Sequence, residues 1–541
     1  MSVLKGLVLI FLSALFFVLG QPNALFGDGL FFLSFGALVP VFYAVHRASL
    51  RQSFFLGFFF GLLVYAGMCF WLSRYAHGLF FIAIISYSLL YGLAFFLMKL
   101  LSCWYPVFSF PVMALSYCVL EYLKSLGPLG FSYGIIGYSQ WTCRPLLMTA
   151  VIGGVWIPSC FCVFFSALCA EVLTKYHAGP DRRTFSSFAI LFSCTVVFSL
   201  LGFQVSLFGA EYRDITAVLV QNNADSTKYT EGGYKKDIAT LVSLSEDALA
   251  LYPDADFVVW PETAVVPPVL QYYTGRKDVS RFNAVSSVLG LMLRNRACFI
   301  IGNQHVDDDG EDCNAALVFD PQKSPILPPD PELYVKQHLV PFSESLPFYT
   351  AFRGLYDRFV PDQRFIWKAG ENPQVFFNRG ISYSVPICFE DTFGSLCARF
   401  VREGAGCLFS ICNDSWAASP VCQRQHLAMT VFRAVENGVP VFRSSASGVT
   451  CVIDADGRIA GELDGFCEGF LGKKIAVPIR RRSNPYSLYG DWFAQTELFG
   501  LCILAVWAVI KKRAEGGAGK TRDGKACAEN TLERKRTNGV E

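Results

Sequence analysis

Glu262, Lys336 and Cys388 stand in three short segments, VVWPETAVV, YVKQHLVPFSESLP and SVPICFEDTFG, each beside a proline at the edge of an apolar run. Strand ends hold reactive side chains on rigid supports at an open rim. Glu262 follows a strand of buried type and Pro261; Lys336 is followed eight residues later by Glu344; Cys388 ends a strand and is followed by Phe389 and Glu390. A cysteine attacks a carbonyl as its thiolate, and a reference pKa near ~8.5 leaves little thiolate at neutral pH. A carboxylate can take the proton, and an ammonium stabilises both the thiolate and the oxyanion formed on attack. Cys, Glu and Lys therefore suffice for acyl transfer without histidine. Taken singly, each is an ordinary structural or surface residue, so the reading rests on all three occurring in one domain. The six histidines, His338 and His426 among them, are scattered and form no HExxH, which assigns them structural roles; no metal or cofactor is expected.

The three segments fall within about 211–490, where most of the Asp, Asn and Pro lie. Its apolar runs have strand length, among them ITAVLVQ, DFVVWPE, ACFIIGNQ, GISYSVPICFE and GCLFSIC. Helix-period stretches such as 236–252 and 426–438 intervene, which predicts an α/β layered domain.

The flanks are different. The chain is 541 residues long, 53% hydrophobic and only 17% charged, against about 25% in a soluble domain. A formal net charge of +2 gives no sign of a nucleic-acid partner. Seven long apolar runs, about 4–20, 30–46, 53–72, 79–102, 106–123, 146–172 and 187–208, precede the polar segment, and an eighth, about 493–510, follows it. An apolar run of about 20 residues spans a ~30 Å hydrocarbon core as a helix. The expected organisation is a membrane domain at 1–210, a catalytic domain at 211–490, an eighth crossing at 491–513 and a disordered tail at 514–541.

Basic residues in alternate connections set the orientation. Lys5, Arg47, Arg51, Lys99, Lys175, Arg182, Arg183 and Lys511–Arg513 share one side, against Arg74, Lys124 and Arg144 on the other. Both termini are thus expected in the cytoplasm and the long polar segment outside, which in a bacterial cell is the periplasmic side of the inner membrane. Lys124 is expected to snorkel to the interface or to meet a head group, and Tyr133, Tyr138 and Trp141 to border the access path as interfacial aromatics. Eight of the 19 cysteines lie in or beside the first seven runs; nine lie in the polar segment, where disulfides are chemically possible.

The contexts WPE, K-x-H-L-V-P-F and P-x-C-F-E-D, in that order, resemble the nitrilase or carbon–nitrogen hydrolase superfamily. Combined with EYLK…GFSYG…GYSQ (121–140), NDSW (413–416), QHLAM…RAVENGVP (425–440), GVT (448–450) and NPYSLYGD (484–491), the whole chain resembles the apolipoprotein N-acyltransferase family. The resemblance implies a stacked αββα sandwich with Cys388 as nucleophile, Glu262 as general base and Lys336 as oxyanion stabiliser. It implies Glu344 and Glu390 as accessory carboxylates, and Phe389 and Trp416 as substrate-binding residues. The implied partners are a phospholipid acyl donor, a diacylglyceryl apolipoprotein acceptor and the bilayer, for a monomeric enzyme. Ser343, Ala417, Ala418, Ala446 and Ser447 depart from the family pattern and bear on the shape of the acyl pocket. A membrane-tethered amidase acting on small amides shares the triad, and a non-catalytic lipid-binding or transport protein would share the topology.

Overall fold

The computed structural model describes residues 2–513 apart from 76, 176–181, 208–210, 225–232, 276–277, 360–365 and 481–482. The expected tail at 514–541 lies outside the described residues.

Among the described residues, seven helices are long and apolar enough to cross a membrane: Val3–Gly20, Leu50–Met68, Phe80–Trp104, Pro106–Lys124, Trp156–Thr174, Arg182–Val205 and Trp492–Arg513. Two expected runs are broken. The run at 146–172 opens with two single turns, Arg144–Leu147 and Ala150–Gly153, and becomes a long helix only from Trp156. The run at 30–46 is a 3₁₀ turn, Phe31–Phe35, followed by a nine-residue helix, Val39–Arg47, with Pro40 in its first turn. It nevertheless makes a return passage. Gln425 of the polar domain donates to the carbonyls of both Pro22 and Met68, so the ends of Val3–Gly20 and Leu50–Met68 lie on the same side, and the chain between them must come back.

Helix Leu50–Met68 packs on His77–Trp104 through Gly57 and Gly61. A Cβ on Gly57 would stand 2.4 Å from the carbonyl oxygen of Tyr91, and one on Gly61 would stand 3.0 Å from the Cα of Ser88. This small-xxx-small pairing brings backbones together where lipid removes any hydrophobic drive for helices to associate.

The described residues of the polar domain form twelve strands in two sheets. Strands β1 (Glu211–Gln221), β2 (Phe257–Val259), β3 (Cys298–Val306), β4 (Asp312–Phe319) and β5 (Glu332–Val335) form most of the first. The second contains β6 (Phe376–Asn378), β7 (Ile381–Ser384), β8 (Cys407–Cys412), β9 (Val441–Ser445), β10 (Cys451–Ile453) and β11 (Ile459–Glu462). The last strand, β12 (Gly469–Arg480), returns to the first sheet, giving the orders β12-β1-β2-β3-β4-β5 and β11-β10-β9-β8-β7-β6. Parallel pairs β1–β2–β3 and β7–β8–β9 form the two centres.

Alternation along the strands sorts the residues into layers. Ala217, Leu219, Phe257 and Val259 face the second sheet, where Phe257 meets Phe409 with ring centroids 5.0 Å apart. Val218, Val220, Val258 and Phe299 pack with Ile238, Leu241, Val285 and Leu289 of helices Gly233–Leu251 and Val279–Leu293. Helices Gly394–Arg402 and Pro420–Asn437 cover the second sheet. The result is the expected αββα sandwich. Helix Pro420–Asn437 is buried on nearly every side because it also touches the membrane part at 136–142 and 150–153.

Candidate active site

The proposed triad residues lie just beyond the carboxyl ends of strands that are not consecutive: Glu262 follows β2, Lys336 follows β5 and Cys388 follows β7. Lys336 is fully buried, and its Nζ donates to Glu262 Oε1 at 3.0 Å and to Glu344 Oε1 at 2.9 Å. Asn314, on β4, donates from Nδ2 to the same two oxygens, at 2.8 and 2.9 Å. The second oxygen of Glu344 accepts the Val340 N–H at 2.8 Å, which fixes that carboxylate within its own loop. Burial alone would lower the lysine, but Glu262 and Glu344 outweigh it and hold the ammonium charged, well above its ordinary range.

Cys388 opens a 3₁₀ turn, Cys388–Thr392, with a φ of +51°. That left-handed conformation is costly for a residue with a Cβ, and such positions concentrate at functional sites. The thiol is 6% exposed. A hydrogen bond with Cys412, burial and the charge of Glu262 push its pKa up, while Lys336 pulls the other way. The thiol form is favoured by these surroundings, so forming a thiolate here calls for a base beside it.

Glu390 ties the thiol's turn to the lysine's loop. Its Oε2 accepts the Ile387 N–H at 2.8 Å; its Oε1 accepts the N–H groups of Gln337 at 2.6 Å and His338 at 3.1 Å and the hydroxyl of Tyr334 at 2.8 Å. Burial raises this carboxyl to about 7 against those donors. Phe389 packs edge-on to Phe393, with centroids 4.9 Å apart.

Behind the turn lies a buried quartet that the sequence did not announce. Asp391 contacts His426 Nε2 at 2.6 Å and Arg443 Nη1 at 2.7 Å, and Asp414 contacts His426 Nδ1 at 2.9 Å and Arg443 Nη2 at 2.8 Å. Burial and Arg443 oppose a charge on His426, but the two aspartates raise it to about 10. Two cations and two anions thus close a neutral ring. Asp391, Cys412 and His426 have ligand-type atoms within 4.8 Å of one another, yet the charged imidazole spends both N–H groups on carboxylates and offers no lone pair to a metal. The nine cysteines of this domain are all free thiols.

Residues 13–168 match the apolipoprotein N-acyltransferase N-terminal domain, and residues 219–477 match the carbon–nitrogen hydrolase family. Apolipoprotein N-acyltransferase 1 of Treponema denticola is 34% identical, covering 94% of this chain and 97% of its own. Apolipoprotein N-acyltransferase 1 of Treponema pallidum is 37% identical over 95% and 98%. The chain belongs to the apolipoprotein N-acyltransferase family. Among solved structures, Saccharomyces cerevisiae Nit3, of the nitrilase superfamily, aligns with 52% of this chain and 94% of its own, at 18% identity and a TM-score of 0.36.

In this N-acyltransferase family member the site sits at the junction with the membrane part. Trp416 meets Trp71 edge-on with centroids 5.4 Å apart, and Trp71 donates to Gln425 at 3.1 Å. Arg74 donates to the Ala418 carbonyl at 2.5 Å, so the departure at Ala417–Ala418 lies where the chain after helix Leu50–Met68 touches the polar domain.

Two expectations about the membrane part are corrected. Lys124 does not snorkel: it is 4% exposed and donates inward to Tyr65 OH at 3.0 Å and to the Tyr133 carbonyl at 2.8 Å. Its neighbour Glu121 accepts the Ile136 N–H at 2.8 Å, so the helix end and loop 131–136 fold over both charges. Tyr133, Tyr138 and Trp141 are buried rather than rimming a surface. Tyr133 stacks on Phe131, Tyr138 accepts a hydrogen bond from Arg433, and Trp141 donates to the Asp28 carbonyl at 2.9 Å.

Proposed function

We propose that this protein transfers a fatty acyl group from the sn-1 position of a phospholipid to the N-terminal α-amine of the diacylglyceryl-cysteine of an apolipoprotein. In this reading the domain carrying Cys388 lies on the periplasmic side of the inner membrane, and both termini are cytoplasmic. Cys388 is the nucleophile, Glu262 the general base and Lys336 the oxyanion stabiliser. The observation that carries the reading is the Glu262–Lys336–Glu344 cluster, buried beside the strained Cys388 in a domain seated on apolar helices.

Glu262 takes the thiol proton as sulfur attacks the ester carbonyl, and Lys336 balances the oxyanion. Collapse releases the lysophospholipid, whose alkoxide leaves with the proton from Glu262, and a thioester remains on Cys388. The amine of the acceptor then attacks the thioester and gives a proton to Glu262, and the thiolate leaves. Glu344 and Asn314 hold the lysine while this happens, and Glu390 keeps the two loops in register. Phe389 and Trp416 supply apolar surface for the chain being moved.

Membrane fusion has a physical reason. Each buried methylene is worth ~0.8 kcal/mol, so neither lipid substrate can be drawn into water. Water must also be kept from the thioester, since hydrolysis would make the protein a phospholipase.

Intact-mass measurement of the purified protein given phospholipid tests the proposal. The expected result is one fatty-acyl increment on the wild type, absent in Cys388→Ala and discharged by a diacylated lipopeptide. An increment mapping to another cysteine, or release of ammonia from small amides with phospholipid untouched, rejects it.

A further inference from the structure

Cys388 has a second thiol beside it. Ile387 is bridged to Ile411 in parallel register, with the Ile411 N–H on the Pro386 carbonyl at 3.2 Å, so Cys388 and Cys412 are the next residues along two paired chains. Neighbouring chains in a sheet run roughly 4.7–4.9 Å apart, inside the Cα separation of about 4.4–6.8 Å that a disulfide bridges. The side chains meet as well, since the Cys388 thiol is hydrogen-bonded to Cys412.

The surroundings of Cys412 set the direction of that bond. Ser410 Oγ, whose own proton goes to Asp391 Oδ2 at 2.7 Å, lies 3.2 Å from Cys412 Sγ, and the Cys412 thiol donates towards the same carboxylate oxygen at 3.9 Å. With its one proton turned that way, Cys412 presents a sulfur lone pair to Cys388. Access is unequal too: Cys412 is fully buried, whereas Cys388 keeps a small opening. An oxidant from outside therefore meets Cys388 first, and Cys412 stands behind it as a nucleophile that solvent does not reach.

We propose that Cys412 is the resolving thiol of Cys388, capturing the peroxide-oxidised nucleophile as a Cys388–Cys412 disulfide. In the first step the Cys388 sulfur attacks hydrogen peroxide or a lipid hydroperoxide. The O–O bond breaks, an S–O bond forms, and water or the lipid alcohol leaves behind a sulfenic acid. In the second step the Cys412 sulfur attacks that of Cys388. The S–S bond forms, the S–O bond breaks, and the sulfenic hydroxyl departs with the Cys412 proton as water. An external dithiol reverses the result by exchange and becomes a disulfide itself. While the bridge holds, no acyl thioester can form on Cys388, and its sulfur is kept from the irreversible sulfinic state. The proposal rests on the reading of Cys388 as nucleophile in a domain outside the cytoplasm, where disulfides persist.

Fragment-resolved peptide mapping of the full-length protein in detergent tests it, after hydrogen peroxide and alkylation of the remaining thiols under denaturing conditions. In the wild type Cys388 should be joined to Cys412, with acyl-enzyme formation lost and then restored by dithiothreitol. In Cys412→Ser the link should vanish and Cys388 should gain two oxygens. The share of each protein's own starting activity that dithiothreitol restores should then fall about tenfold, because a sulfinic acid resists thiols. Cys422→Ser, at another buried thiol of the domain, should behave as the wild type. Oxidised wild type in which Cys388 carries a sulfinic acid, or is linked to any thiol other than Cys412, overturns the proposal, and that map requires no variant to fold. Full recovery in Cys412→Ser overturns it too. A fatty-acyl increment on another cysteine, with the Cys388–Cys412 link present, would instead refute the nucleophile and leave the bridge standing.

Discussion

Asn314 and Lys336 grip the same two oxygens, Oε1 of Glu262 and Oε1 of Glu344. One carboxylate belongs to the loop after β2 and the other to the loop after β5, so the amide and the ammonium lock the exits of a central strand and an edge strand into one charged unit. Asn314→Ala removes the neutral half of the clamp. Loss of a hydrogen bond to a charged group is worth ~1.5–3 kcal/mol, which predicts a fall of about ten- to a hundredfold in the rate of acyl-enzyme formation. Single-turnover mass measurement checks this; an unchanged rate would show that Lys336 orders the carboxylates alone.

Glu390 gives a stability signature in the acid range. Its folded pKa, about 7, is above the ordinary value of 4.5, so the native state holds a proton that the unfolded chain has released. Stability contributed by this group is greatest below pH 4.5 and falls as pH rises to 7, by on the order of 3 kcal/mol. Thermal midpoints in detergent should decline over that window in the wild type and lose that decline in Glu390→Gln.

The quartet behind the Cys388 turn adds an alkaline limb. His426 is raised from 6.5 to about 10, so its stabilisation is complete below pH 6.5 and is lost as pH rises through 10, on the order of 5 kcal/mol at most. Asp391 is depressed, since His426 and Arg443 outweigh its burial, and its share is lost only at strongly acid pH. His426→Gln should flatten the alkaline limb of the midpoint curve. A curve of the same shape in that variant would mean that the imidazole is neutral in the fold.

Lys124→Met should lower the thermal midpoint. The change leaves the Tyr133 carbonyl without its donor and Glu121 without a nearby buried cation, and an unpaired buried acceptor alone costs ~1–3 kcal/mol. If Lys124 reached the interface, the same change would be nearly silent.

The α/β character and the long helices were legible because both rest on local pattern: apolar runs of strand length with helix-period stretches between them, and runs of about 20 apolar residues; the αββα stacking came from the family resemblance alone. Glu262, Lys336 and Cys388 could be picked out because their segments occur in one domain in the order WPE, K-x-H-L-V-P-F and P-x-C-F-E-D, and Glu344 entered through the family resemblance those motifs carry. Asp391, Asp414 and Arg443 were not legible, since their partners are 12 to 52 residues apart in sequence and nothing local signals a neutral ring. Lys124 misled for a related reason. A lysine at the end of an apolar helix has one favoured sequence reading, and only the loop 131–136 folding back over it reverses that. Asn314 carries no signal at all, being one more polar residue within a strand.

Glu211 and Arg480, the first and last residues of the sandwich's strands, are paired across β1 and β12. The chain thus enters and leaves the sandwich side by side, while helix Pro420–Asn437, Gln425 and the Ala418 carbonyl give the domain a second, noncovalent seat on the membrane part. A graft moored both at its root and along one face cannot swing over the helices without breaking one of the two moorings.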